Sequence, residues 1–170
     1  MVITMIDYNE IDKMTSAELV ELYAKIIQSA KKRNLIRTKN FIGEIGESVV
    51  IEYYCNTPGL PNLQPAPVGT ENIDAISRNG ERYSIKTITT NTTSVFYGLP
   101  PKDSGLPYTQ KFEYVVICSY SDDYELEAIY ELTWDTFLKH KHWHSRMRAW
   151  NIVVTKAVIK DSKIIYKKDN

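Results

Sequence analysis

Residues 72–89 read NIDAISRNGERYSIKTIT, with two short runs of alternating apolar side chains on either side of Asn79-Gly80. An Asn-Gly pair between two such runs is the strongest short-range signal of a β-hairpin, because it suits the positive φ angles of a tight turn. The predicted hairpin carries Asp74 on its first strand and Lys86 on its second. With the turn centred on Asn79-Gly80, an offset of one residue leaves Asp74 and Lys86 nearly opposite each other, so their side chains can share a face.

The chain before this hairpin has the apolar spacing of two helices. Thr15, with Glu18 three residues later, is a capping box and begins a helix predicted from about residue 16 to 32. A second helix is predicted from about residue 38 to 55 and contains Gly43-Glu44-Ile45-Gly46-Glu47. Its glycines lower the helix propensity, which indicates close packing against a sheet or space for a ligand.

The chain after the hairpin alternates strands with one further helix. Residues 113–120, EYVVICSY, form the continuous apolar run expected of a central strand that is buried on both faces. Other strands are predicted at 125–132, 150–154 and 158–166, and Thr133 caps a short helix that continues to about residue 141. This order predicts one α/β domain over residues 1–170, a mixed sheet flanked by helices with an extra N-terminal helix.

The charged residues are segregated along the chain, although the formal net charge is zero. Residues 31–39 carry five positive charges and no negative one, and residues 139–170 carry nine positive against two negative charges. By contrast, residues 102–135 contain eight acids and two lysines. If the two basic blocks meet on one face, they supply a surface that binds phosphates. The alternative is that they are solvated helix ends and a lysine-rich tail.

The cellular compartment is predicted from the apolar runs and the cysteines. No apolar run approaches the roughly 20 residues that a membrane helix needs, and residues 1–10 lack the basic-then-apolar pattern of a secretion signal. We therefore expect a cytoplasmic protein with no membrane partner. Cys55 and Cys118 lack the spacing of a zinc site and are interpreted as small buried hydrophobic residues.

A carboxylate and a lysine on one hairpin suit the hydrolysis of a phosphodiester. That reaction needs a divalent metal to activate water and to neutralise charge on the phosphorane oxygens, and a cation that positions or deprotonates the nucleophile. Magnesium prefers hard oxygen ligands such as carboxylates and main-chain carbonyls. The simpler alternative is that Asp74 and Lys86 form an ordinary cross-strand ion pair, which is common on solvent-exposed faces.

The hairpin resembles a known nuclease motif. NIDAI at 72–76 and NGERYSIKT at 79–87 look like the DAIDxxGxRYQIK stretch of a group of small PD-(D/E)xK nuclease-like proteins. Those proteins carry a G-E-x helix upstream, where this chain has GEIGE at 43–47, and a looser similarity extends from about Asn34 to Ile159. The resemblance implies a restriction-endonuclease-like fold with an αβββαβ core, and a DNA endonuclease that acts in restriction or defence.

The resemblance also implies a role for each matching position. Asp74 and an acid of the preceding helix would bind the metal, with Glu47 favoured over Glu44. The main-chain carbonyl of Ile85 would add an oxygen ligand, and Lys86 would contact the attacking water. The implied cofactor is Mg²⁺ or Mn²⁺.

Ser84 departs from the family pattern. It occupies the position of the remaining metal ligand, where the family has a carboxylate or amide, and its hydroxyl is a weaker ligand for a hard cation. The next acid along the chain is Asp103, which lies in a predicted loop. Two alternatives follow: Glu47 or Glu44 compensates, or the chain is a catalytically silent module that uses the nuclease fold to bind DNA or a protein partner.

DNA is the partner that the resemblance implies, together with a homodimer, because cutting both strands requires two centres. Residues 95–110 and 143–148 are the candidate recognition loops. The basic residues expected to contact DNA are Arg37, Lys39, Lys102, Arg146 and Arg148.

Three histidines, His140, His142 and His144, surround Trp143. On a strand they would share one face and could hold zinc, whereas on a helix they would spread apart. The helix predicted to end near this position disfavours a zinc site, which leaves a loop that contacts the DNA backbone or an exposed turn with buried tryptophans.

Overall fold

The computed structural model describes residues 8–36, 41–67, 69–122 and 124–169. Their contacts divide the chain into two compact units, which extend from Met1 to Glu44 and from Ile45 to Asn170. The boundary falls within one helix, α3 (Phe41–Asn56). A single nuclease-like domain over the whole chain therefore stays a prediction.

The first unit contains α1 (Tyr8–Ile11) and α2 (Ser16–Lys32) before the start of α3. The Thr15 hydroxyl accepts a hydrogen bond from the Glu18 main-chain N–H at 3.4 Å, and the Glu18 carboxylate accepts one from the Thr15 N–H at 2.8 Å. This reciprocal pair satisfies two of the N–H groups that a helix leaves unpaired at its N-terminus. The predicted capping box and the extra N-terminal helix over residues 16–32 are confirmed.

The second unit is built around a mixed sheet. After α3 its elements are β1 (Leu63–Pro65), β2 (Ala75–Ser77), β3 (Arg82–Ile88), β4 (Tyr114–Tyr120), β5 (Leu126–Thr133), α4 (Trp134–His140), β6 (Lys141–His144), β7 (Ala149–Ile152), α5 (Lys156–Asp161) and β8 (Lys163–Lys167). Six strands form one sheet in the order β1-β2-β3-β4-β5-β8, and β6 and β7 form a separate pair. All neighbours in the large sheet are antiparallel except β3 and β4. The mixed α/β class is confirmed at this level.

The β2–β3 hairpin has a three-residue turn, and this corrects the predicted register. Ala75 opposes Tyr83, and the Gly80 N–H donates to the Ser77 carbonyl at 3.0 Å. Gly80 alone in this turn has a positive φ, 85°, whereas a two-residue type I′ turn needs two such residues. The recorded pairing begins at Ala75, and Asp74 just before it accepts a hydrogen bond from the Ser84 hydroxyl, so Lys86 is not its direct partner. Asp74 and Lys86 nevertheless line the same cleft, which agrees with the prediction that they share a face.

The large sheet has apolar clusters on both faces, as the apolar run of β4 predicted. Tyr83 and Ile85 pack with Val50 and Tyr54 of α3, and Ile88 packs with the cluster on the opposite face. α3 approaches β3 closely at Gly46, where an added β-carbon would overlap the Thr87 hydroxyl and lie 2.9 Å from its β-carbon. Glycine at this position lets the helix backbone lie directly against the strand.

Two predicted strands of the C-terminal third differ in the structure. Residues 158–166 are not one strand, because the Thr155 hydroxyl accepts from the Val158 N–H at 3.3 Å and caps α5 before β8 begins. The predicted strand at 150–154 lies outside the large sheet and pairs as β7 with β6, which the sequence analysis missed. Cys118 is buried as expected, whereas Cys55 is exposed because it lies at the solvent side of the last turn of α3.

Across the described ranges, the helices are all too short or too polar to cross a bilayer.

Candidate active site

Asp74 lies directly before β2 and is held by the neighbouring strand. Its Oδ2 accepts a hydrogen bond of 2.6 Å from the main-chain N–H of Ile85 and a longer one of 3.4 Å from the hydroxyl of Ser84. Ser84 is fully buried, so its hydroxyl helps to position the carboxylate. Both bonds use the same oxygen. Among the described residues none donates to Oδ1, which leaves this oxygen available to a ligand.

The main-chain carbonyl of Ile85 faces the same edge of β3 as Asp74. The Asp74 N–H donates to the Tyr83 carbonyl at 2.8 Å, and the Ile85 N–H donates to the Asp74 carboxylate. Alternate residues of a strand turn both backbone groups to the same neighbour, so Tyr83 and Ile85 both point towards β2. The first residue of β2, Ala75, lies opposite Tyr83, and Ile85 is two residues further along β3. The Ile85 carbonyl therefore points to the position just before β2 begins, where Asp74 lies. A carboxylate and a main-chain carbonyl are thus directed to one edge.

Lys86 is half-buried and projects from the face of β3 that carries Ser84. Its ammonium group lies over the Phe96 ring, 5.0 Å from the ring centroid. A cation at this distance is attracted to the ring face, which limits the positions that the flexible lysine can adopt. The contact with Phe96 therefore restricts the direction of the Lys86 side chain.

Asp74 and Lys86 line one cleft with a volume of about 600 Å³. This size falls within the range of small-ligand sites in proteins. Both segments proposed for recognition contribute to its wall, with Val95 and Tyr97 from the first and His144 and Met147 from the second. The first segment is tied to the hairpin by Asn72, whose side-chain amide donates to the Tyr97 carbonyl at 2.8 Å. The structure thus brings the hairpin and both candidate loops together.

The two helix glutamates lie in different units. Glu44 is the last residue of the first unit and is buried, whereas Glu47 belongs to the second unit and is half-buried. Glu47 directly follows Gly46, which contacts Thr87 on the face of β3 opposite to Lys86. Glu47 does not line the cleft, and within the described ranges no three His, Cys, Asp or Glu side chains form a metal-binding group. The roles of Glu47 and Glu44 stay predictions.

Several polar residues of the cleft were missed by sequence reasoning, among them Glu71 and Asn151. Glu71 is exposed and lies three residues before Asp74, so its proximity in sequence was a usable signal. Asn151 is the one polar residue within the run AWNIVV of residues 149–154. An amide in the middle of an otherwise apolar strand indicates either a hydrogen-bond network or a ligand.

The amide oxygen of Asn151 is buried and unpaired. The residue is 3% exposed, and no group in the described part of the chain donates a hydrogen bond to Oδ1. Leaving a buried acceptor without a partner costs about 1–3 kcal/mol. Asn151 is held in β7, where it opposes His142. A residue that lines the cleft therefore carries a buried, unsatisfied oxygen, in addition to the Asp74 carboxylate.

The basic side chains of residues 139–148 and of Lys102 differ in their surroundings. Lys139 pairs with Asp161 at 2.7 Å. Lys141 lies over the Tyr108 and Trp150 rings at 4.5 and 4.6 Å, and its burial lowers the pKa of its ammonium group.

Arg146, Arg148 and Lys102 are exposed, the two arginines in the turn between β6 and β7 and the lysine in the crossover from β3 to β4. Arg37 and Lys39 lie outside the described residues. Of the two alternatives for this segment, the exposed turn with buried tryptophans is closer to the structure, which has a helix end followed by a β-hairpin with an exposed turn and a buried Trp150. Contact of this turn with the DNA backbone stays a prediction.

The three histidines do not converge on one point. His140 ends α4 and lies 2.7 Å from the Asp161 carboxylate, whereas His142 and His144 lie on β6. The ring nitrogen Nδ1 of His144 accepts a hydrogen bond from the Met147 N–H at 3.2 Å. His144 therefore stabilises the turn that carries the two arginines.

No protein-family model matches the chain, and no curated protein is similar to it at a significant level. The function is therefore inferred from the site.

Proposed function

We propose that this protein is a metal-dependent DNA endonuclease of the PD-(D/E)xK type. Its sheet would be restriction-endonuclease-like, with the active site at the β2–β3 hairpin. The observation that carries the proposal is the position of Asp74 and Lys86 on one face of that hairpin, in one cleft. A carboxylate held by a main-chain N–H can bind the metal, and an ammonium group held over an aromatic ring can orient the attacking water, so both groups suit metal-assisted phosphodiester hydrolysis.

The residues of the hairpin fit a hard divalent cation. Asp74 Oδ1 and the Ile85 carbonyl are directed to the same edge, and both are the oxygen ligands that Mg²⁺ or Mn²⁺ prefers. When bound, such an ion would lower the pKa of a water molecule and neutralise charge on the phosphate. Lys86 would orient the attacking water and stabilise the negative charge that develops on it. Ser84 would hold Asp74 in place, and Glu47 remains the proposed additional acid.

DNA is the proposed substrate because two exposed arginines flank a residue that lines the cleft. Arg146 and Arg148 flank Met147, which is 45% exposed and lines the cleft. Arginines at the tip of a hairpin can contact phosphates or enter a groove, and an exposed apolar side chain between them can pack against bases. We further propose a homodimer, because one centre cuts one strand at a time.

The proposal is tested by nicking of supercoiled plasmid. Purified protein is expected to convert the plasmid to nicked and linear forms with Mg²⁺ or Mn²⁺ and to do nothing in EDTA. Asp74→Ala protein purified in parallel should be inactive, whereas Asp135→Ala, which removes an exposed carboxylate from α4, should remain active. Equal activity in all preparations would reveal a contaminant. Salt-sensitive DNA binding without any cutting would replace the nuclease by a silent DNA-binding module.

The hairpin tip supplies a separate prediction about DNA affinity. Replacing Arg146 by Ala and Arg148 by Asn, which tolerates the positive φ of 49° at that position, should weaken binding about equally for all sequences. Two lost phosphate contacts are expected to reduce the slope of log K against log salt by about 2. Fluorescence anisotropy over a range of salt concentrations measures the slope. A slope equal to that of wild type would mean that the tip does not contact phosphates.

A further inference from the structure

The unpaired oxygen of Asn151 is the strongest unexplained feature of the cleft. It belongs to a residue that is 3% exposed and that lines the cleft together with Asp74 and Lys86, and no described residue donates to this oxygen. The Lys86 ammonium group lies over Phe96 and makes no hydrogen bond to this oxygen. Buried amides in native proteins have partners in nearly all cases, so the missing partner is expected to come from a ligand.

The chemistry of the surrounding groups indicates which ligand. Asp74 and Asn151 both line the cleft, the Asn151 amide oxygen is buried without a described donor, and the Ile85 carbonyl faces the Asp74 edge. All three are oxygen acceptors, and one carries a full negative charge. A divalent cation satisfies oxygen acceptors and charge together, and Mg²⁺ and Mn²⁺ keep several waters, so that few protein ligands are sufficient. An uncharged donor would satisfy the amide but not the carboxylate.

We propose that Asn151 Oδ1 is a ligand of the divalent metal at the Asp74 centre, and that it supplies the oxygen that Ser84 does not. The inference rests on the proposed function, since it concerns the same metal. In this arrangement the metal ligands come from two separate sheets, Asp74 and Ile85 from the β2–β3 hairpin and Asn151 from β7. The β6–β7 hairpin then has two roles, because one end of it contacts DNA and its second strand completes the metal site.

The test measures Mn²⁺ binding without DNA, from the electron paramagnetic resonance signal of the free ion. Asn151→Ala is expected to weaken Mn²⁺ binding about tenfold or more. Asn151→Asp has nearly the same shape and adds a negative charge, so it is expected to bind Mn²⁺ more tightly than wild type, because ligand charge tunes the affinity of such sites. Without metal, Asn151→Asp should unfold at a lower temperature than wild type, and saturating Mn²⁺ should raise its Tm more.

The remaining variants separate this inference from the proposed function. Asp74→Ala should abolish Mn²⁺ binding, and Glu71→Gln, a change at the exposed acid of the same cleft, should alter it less than Asn151→Ala does. If Asp74→Ala binds Mn²⁺ like wild type, the proposed metal centre fails. If Asp74→Ala loses binding while both Asn151 variants match wild type, the centre stands and the inference about Asn151 is wrong. Loss of DNA affinity in the Asn151 variants with unchanged Mn²⁺ affinity would also overturn it, in favour of a base contact.

Discussion

Lys86→Met protein is expected to cleave plasmid DNA about 10²–10⁴ times more slowly than wild type, while it binds DNA and Mn²⁺ almost as well. Methionine keeps most of the aliphatic stem that packs beside Phe96 but removes the charge that lies 5.0 Å from its ring centroid. A side chain that positions or deprotonates the nucleophile contributes a factor of this size to the rate. Single-turnover cleavage of a labelled duplex at saturating protein measures the chemical step separately from binding.

The control for this variant is Lys160→Met, which alters an exposed lysine on α5 outside the cleft. It should cleave at the wild-type rate. A Lys86→Met rate within threefold of wild type would mean that Lys86 is a structural residue, held by its aromatic neighbour. A parallel loss of DNA affinity would assign Lys86 to phosphate binding instead of catalysis.

Gly46→Ala is expected to destabilise the second unit by about 1–3 kcal/mol, although alanine is the better helix former by about 1 kcal/mol. The added methyl group would overlap the Thr87 hydroxyl and lie 2.9 Å from its β-carbon. Thr87 is β-branched and belongs to a central strand, so it has little freedom to move away. For a chain of this length, the change corresponds to a fall in Tm of about 2–4 °C per kcal/mol.

The double variant with Thr87→Ala tests the cause of that destabilisation. Removing the hydroxyl and methyl groups of Thr87 should recover part of the lost stability, so the two changes should be non-additive in urea unfolding. Full additivity would mean that α3 and β3 do not meet at this contact. If Gly46→Ala is as stable as wild type, the close approach of helix and strand is wrong.

Local sequence signals predicted most of the regular elements because these signals act within a few residues. The capping box at Thr15 and Glu18 defined the start of α2, and the apolar run at 113–120 identified β4. The hairpin was predicted with its turn, but its register was not. Asn79-Gly80 is compatible with both a two-residue and a three-residue turn, and the φ angle of Asn79 decides between them.

The cleft was only partly predictable, because its walls come from segments that are distant in sequence. Asp74 and Lys86 share a hairpin, so their common face followed from alternation along the strands. Asn151 joins them only through tertiary contacts. The Phe96 N–H donates to the Trp150 carbonyl at 2.6 Å, and the Thr93 N–H to the Ile152 carbonyl at 3.0 Å. No periodicity in the sequence encodes such pairings.

The strands β3 and β4 are parallel neighbours, and this pairing determines how the chain between them is arranged. Parallel strands cannot be joined by a tight turn, so the chain must travel back along the sheet through residues 89–113. In many proteins a helix forms such a crossover connection, but the described residues 89–113 contain no helix. This connection instead contributes Val95 and Tyr97 to the wall of the cleft. The crossover connection between the parallel strands thus also forms part of the cleft, and its sequence can be changed without changing the strands. If the cleft binds DNA as we propose, exchanging the outer residues of this connection is expected to change which bases are contacted, while Asp74 and Lys86 keep their places on the sheet.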